Sequence, residues 1–70
     1  MTIGESIKTC REKRGYSQGK LSRISGISQA LISKWELDKS IPMTFSLLCI
    51  ADALDVSLDE LVGRERRYKQ

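Results

Sequence analysis

The stretch GISQALISKWELDK, Gly26 to Lys39, holds the side chains best suited to recognition chemistry. Wound at about 3.6 residues per turn, it puts Leu31, Ile32 and Trp35 on one side and Gln29, Ala30, Ser33, Lys34 and Leu37 on the other. The second set offers an amide that both donates and accepts, a methyl, a hydroxyl and a cation. Such groups read patterns of donors, acceptors and charge without breaking bonds. Catalytic chemistry is poorly served elsewhere too. The chain has no histidine, the usual general base at neutral pH, and none of its serines sits in a GxSxG-like turn. No enzyme and no cofactor is expected. Cys10 and Cys49 each stand inside an apolar helical pattern and not in a CxxC pair, which fits two small buried hydrophobes and no metal site.

A net charge of +3 on 70 residues is unevenly spread. Residues 1 to 16 set Lys8, Arg11, Lys13 and Arg14 against Glu5 and Glu12, and residues 17 to 40 set Lys20, Arg23, Lys34 and Lys39 against Glu36 and Asp38, so each block carries +2. Residues 41 to 62 hold Asp52, Asp55, Asp59 and Glu60 with no cation, and GRERRYKQ returns +3. A polyanion would meet the first forty residues, not the acidic segment after them. There is no run of about 18 apolar residues and no basic-then-apolar leader with a cleavage site, so a cytoplasmic protein without membrane contact is expected.

The recognition residues need elements to hold them, and one local device marks where those elements start. An apolar residue precedes a Ser or Thr, and a second apolar residue follows five positions after the first: Tyr16-Ser17 with Leu21, Ile27-Ser28 with Ile32, Met43-Thr44 with Leu48, Val56-Ser57 with Leu61. This is the hydrophobic staple around an N-cap, whose hydroxyl accepts an orphan backbone N–H. Capping boxes pair Thr2 with Glu5 and Ser57 with Glu60, and Gly15, Gly26 and Gly63 are placed as helix stops.

The expectation is an all-α chain, a compact five-helix bundle over residues 1–63 followed by a basic C-terminal tail, 64–70. The helices run roughly over 2–14, 17–25, 28–37, 44–54 and 57–63. Their apolar faces are Ile3, Ile7 and Cys10; Leu21 and Ile24; Leu31, Ile32 and Trp35; Leu47, Leu48, Ile50, Ala51 and Leu54; and Leu58, Leu61 and Val62. The second and third helices, joined by Ser25-Gly26-Ile27, have the outline of a helix-turn-helix, whose second helix can lie in the major groove of DNA.

The run YSQGKLSRISGISQALISKWELDKSIP, with IADALDVSLDELV after it, resembles the Cro and phage-repressor-like helix-turn-helix family, also called the XRE family, over about residues 3 to 63. The resemblance implies a lambda-repressor-like DNA-binding domain. It departs from the family pattern at Ser22, where alanine is usual, and at Asp38 and Asp55, where glycine is usual. Aspartate tolerates a left-handed backbone better than most residues, so the turns survive at some cost. Ser22 is expected to bond back to a carbonyl one turn earlier.

In a major groove glutamine can bond adenine, alanine can meet the thymine methyl, and lysine can reach guanine or a phosphate. Gln29, Ala30, Ser33 and Lys34 are therefore the expected base readers, with Ser28 at the helix start on a nearby base or phosphate. Phosphate contacts are expected from Gln18 and the free N–H groups at the start of the second helix, and from Lys39 and Ser40. The resemblance implies the same glutamine and loop, and a salt bridge between Arg11 and Glu36 that positions the third helix. Plainer readings stand beside these: Gln29 and Lys34 as solvated residues, Ala30 as a good helix former, and Lys20 and Arg23 as a solvated face.

The expected function is a sequence-specific double-stranded DNA-binding transcriptional regulator, acting by repression or activation. One recognition helix reads too few base pairs to find a site alone, so a homodimer on an inverted repeat is expected, with half-sites about 34 Å apart. Its interface is placed around Leu58, Val62 and Tyr68, against the alternative that Leu58 and Val62 only close the core. The other functional class is an antitoxin or protein-interaction module with DNA binding secondary. Its partner would be a toxin, as RNA polymerase would be for an activator.

Overall fold

The computed structural model describes residues 2–62, and among these all regular structure is helical. The order is α1 (Ile3–Lys13), α2 (Gln18–Ser25), α3 (Gln29–Glu36), α4 (Thr44–Leu54) and α5 (Leu58–Val62). None of these helices is long and apolar enough to cross a membrane. Gly63, the expected last stop, and the tail lie outside the described residues.

Helix starts follow the hydroxyl caps. Thr2 Oγ1 accepts from Glu5 N–H at 3.0 Å while Glu5 Oε1 accepts from Thr2 N–H at 3.0 Å. Ser17 and Ser28 accept from Lys20 and Leu31 N–H at 3.0 and 3.2 Å. Ser57 and Glu60 close the second box at 3.0 and 3.4 Å. Thr44 is the exception: it is the first residue of α4, and Met43 is its N-cap with no side-chain bond. Met43 and Leu48, the expected staple pair, are both exposed, at 74% and 44%.

Two helix ends turn on aspartate. Asp38 after α3 has φ 60° and Asp55 after α4 has φ 57°, the left-handed region that costs an ordinary L-residue about 1 to 2 kcal/mol. Arg14 bridges the second of these ends, donating to Leu54 O at 2.9 Å and to Asp55 Oδ2 at 3.2 Å.

The core gathers one arc of every helix. Ile7, Leu21, Ile32, Ile50, Leu54 and Leu61 are fully buried, with Trp35, Leu47 and Ala51 beside them. α1 lies against α3 and α5, and α2 lies against α3 and α4. Three residues assigned to apolar faces sit outside this core: Ile24, Leu31 and Leu48 are 47%, 42% and 44% exposed. In α3 the buried arc is centred on Ile32, with Trp35 and Glu36 on its flanks, and Leu31 lies one residue, about 100°, round from that centre. Cys10 and Cys49 are half-buried and unpaired.

Candidate nucleic-acid interface

α2 and α3 are joined by Gly26, Ile27 and Ser28, with Gly26 in the left-handed conformation at φ 79°. Serines tie this turn down at both ends of Ile27: Ser25 Oγ accepts from Ile27 N–H at 3.1 Å, and Ser22 Oγ donates to Ile27 O at 2.6 Å. The Ser22 hydroxyl thus reaches forward across the turn and not back along its own helix, because Ile27 O lies within its reach.

On α3 the buried residues are Ile32, Trp35 and Glu36. Gln29, Ala30 and Lys34 are exposed and Ser33 is half-buried, so the four form one accessible face, continued by exposed Leu37. The exposed Ser28 hydroxyl is half committed, since its oxygen caps Leu31 N–H and its proton is free to donate. Gln29 Oε1 leans toward the start of α2, 3.7 Å from where a Cβ on Gly19 would stand. Lys39 and Ser40 are exposed beyond the helix, where Lys39 N–H donates to Lys34 O at 2.9 Å.

The inner side of α3 is held by charge. Arg11 Nε donates to Glu36 Oε2 at 2.7 Å and its Nη2 to Glu36 Oε1 at 3.0 Å, a bidentate pair with the residues 9% and 8% exposed. Arg11 Nη1 also donates to Tyr16 O at 2.8 Å, so one guanidinium joins α1 to the end of α3 and to the residue before the cap of α2. The hydrogen bond to Glu36 raises the Arg11 pKa against the lowering effect of burial, with the charges of Glu36 and Glu12 adding to it. The group stays charged across the whole neutral range.

Gln18, the expected phosphate ligand, donates its amide Nε2 to Glu36 Oε1 at 3.0 Å. An amide nitrogen carries two protons, so this bond orients the side chain and leaves one donor for a further partner. The Gln18 link to Glu36 has no sequence signal, since the two are 18 positions apart and neither type demands the other. Lys20 Nζ lies 4.8 Å from the centre of the Tyr16 ring, a cation–π contact that holds this cation beside the start of α2.

Gly4 has a role that helical spacing does not reveal. A Cβ there would overlap Trp35 O and stand 2.6 Å from Asp38 Oδ1, so only glycine lets the first turn of α1 seat against the end of α3. A glycine in the first turn of a helix that otherwise reads as regular is the one signal the sequence offers.

Leu58 and Val62 are half-buried and packed against the core, and Tyr68 lies outside the described residues.

A sequence profile described as Helix-turn-helix matches residues 7–61, which spans all of this geometry. The chain belongs to that family. Among relatives of this helix-turn-helix chain, the immunity repressor protein of Bacillus phage phi105 is 30% identical over 70 residues, covering 100% of this chain and 49% of the relative. The HTH-type transcriptional regulator ImmR of Bacillus subtilis (strain 168) is 31% identical over 70 residues, covering 100% of this chain and 55% of the relative. The chain therefore spans about half the length of these curated relatives. A crystal structure of the P22 c2 repressor with a synthetic operator superposes with a TM-score of 0.83 at 32% identity, over 93% of this chain and 98% of that one.

Proposed function

We propose that this chain is a sequence-specific double-stranded DNA-binding domain of a transcriptional regulator, with α3 in the major groove. The observation that carries the proposal is the division of α3: an accessible face of Gln29, Ala30, Ser33 and Lys34 over an inner face clamped by Trp35 and the Arg11 to Glu36 pair. Gln29 suits adenine, Ala30 a thymine methyl, and Lys34 guanine or a phosphate, with Ser33 a further polar contact. Gln18, Ser28, Lys39 and Ser40 are the proposed phosphate contacts, which set register without carrying sequence information. The likeness to an operator-bound repressor supports the same assignment.

A homodimer on an inverted repeat is expected from the small number of base pairs one α3 can read. Leu58, Val62 and Tyr68 remain the proposed interface, and repression by covering a promoter is the proposed outcome. A second reading, a protein-interaction module such as an antitoxin, draws on exposed Ile41, Met43 and Phe45. Selection from random DNA followed by salt titration separates the two. The DNA reading requires an enriched inverted repeat and a log-log slope of about −0.9 per neutralised phosphate. No enriched sequence and a flat salt response would leave the protein-interaction reading in its place.

A further inference from the structure

We propose that Asp38 is a positioning residue for DNA binding: by tying the turn after α3 to the first turn of α1, it sets the path of Lys39 and Ser40 toward the phosphate backbone. This rests on the DNA-binding reading above. Thr2 Oγ1 donates to Asp38 Oδ2 at 3.1 Å while accepting from Glu5 N–H at 3.0 Å. A hydroxyl has one proton to give, so the donor capacity of Thr2 is spent on Asp38. The other carboxylate oxygen lies over Gly4, where a Cβ would stand only 2.6 Å from it. The carboxylate is thus seated on the first turn of an 11-residue helix, where negative charge is favoured.

Beyond Asp38 the chain is held by the Lys39 N–H bond to Lys34 O at 2.9 Å and by buried Pro42, and the Thr2 bond ties it across to α1. Lys39, Ser40 and Ile41 are exposed, and a cleft of about 300 Å³ lies between the start of α1 and this segment, bordered by Ile3, Ser40, Ile41 and Pro42. Among the described residues, the Thr2 bond to Asp38 is the one side-chain hydrogen bond made by residues 37–41. Glycine, usual in the family at this position, supplies the left-handed turn but no such tie. Asp38 adopts the same turn at φ 60° and adds the anchor.

The sign of the charge makes the proposal testable. A carboxylate beside DNA repels phosphate, so deleting a bystander aspartate strengthens binding, whereas deleting an anchor weakens it. Asp38→Gly keeps the left-handed turn without strain and removes the carboxylate with its tie to Thr2. Against a duplex recovered by selection, it should bind about 3- to 10-fold more weakly, the ordering cost of one or two freed side chains. Its salt slope should be shallower by about 0.9 for each phosphate that is no longer neutralised. The Lys39 amide of the free protein, bonded to Lys34 O, should exchange faster, with a melting temperature close to the parent's. Asp38→Asn retains an oxygen for the Thr2 hydroxyl and tolerates the turn, so it should bind at least as tightly as the parent.

Equal or tighter binding by Asp38→Gly, or equal weakening by Asp38→Asn, overturns the proposal. If the parent protein shows no salt-dependent binding to any duplex, the DNA reading itself has failed. Amide exchange then decides whether Asp38 anchors the segment, and unchanged exchange in Asp38→Gly overturns that as well.

Discussion

Arg11→Met keeps an aliphatic stem in place of the arginine and removes the charge. Glu36, 8% exposed, is then left with the Gln18 amide at 3.0 Å as its remaining side-chain donor among the described residues, and Tyr16 O loses its guanidinium donor. Breaking a buried pair from one side costs about 3 to 5 kcal/mol, because the surviving charge is desolvated without compensation. A domain of this length has about 3 to 10 kcal/mol in total. At about 4 to 8 °C per kcal/mol, the melting temperature should fall by at least about 12 °C. In Arg11→Met/Glu36→Leu no charge is left to desolvate, and the loss should shrink to about 1 to 2 kcal/mol or vanish. Urea and thermal unfolding of the parent, both single variants and the double variant complete the cycle. Because Glu36 raises the Arg11 pKa, the contribution is present throughout the neutral range and is not lost until the pH rises past the ordinary arginine range. The Arg11→Met deficit should therefore be constant between about pH 6 and 9. A cost under about 0.5 kcal/mol, or a double variant no more stable than Arg11→Met, would show that the pair acts as an exposed one and refute the reasoning.

Trp35→Ala should cost about 3 to 5 kcal/mol in chemical denaturation, enough to threaten folding, because the indole is nearly fully buried. Gly4→Ala should destabilise by about 1 to 3 kcal/mol as Trp35 O is pushed off α1, whereas Gly19→Ala, with no atom nearer than 3.7 Å, should gain up to about 1 kcal/mol. Equal effects at the two glycines would remove the close approach as an explanation. Gln29→Ala should cost about 1 to 3 kcal/mol of DNA affinity and relax preference at one base pair, while Lys39→Ala should weaken binding to all duplexes alike. Uniform loss in both, measured on a panel of single-base variants, would undo the division into readers and anchors.

The parts of this fold that local chemistry decides are legible in the sequence. Thr2, Ser17, Ser28 and Ser57 cap helices because the hydroxyl and the N–H it accepts from are only three residues apart, within one turn. Thr44 carries the same local pattern and does not cap: it is the first helical residue of α4, and the flanking Met43 and Leu48 are both exposed. Which of Ile24, Leu31 and Leu48 would be covered depends on how wide an arc each neighbour shields, and helical spacing cannot supply that. The outward placement of Gln29, Ala30 and Lys34 is legible because Ile32 and Trp35 fix the opposite side of the same short helix. The tie from Thr2 to Asp38 and the Gln18 bond to Glu36 join residues far apart in the chain, and their geometry exists only once the helices have packed.

The turn around Ile27 limits how this surface can change. With its N–H on Ser25 and its carbonyl on Ser22, Ile27 leaves the connection between α2 and α3 little slack. On the proposed reading, anchor and reader should then travel as one body, with little ordering entropy left to lose on meeting a duplex. Exchanging side chains on the outer face of α3 should then alter how long a complex lasts far more than how fast it forms. On the proposed reading, new base preferences can be written at positions 29, 30, 33 and 34 without redesigning the turn beneath them.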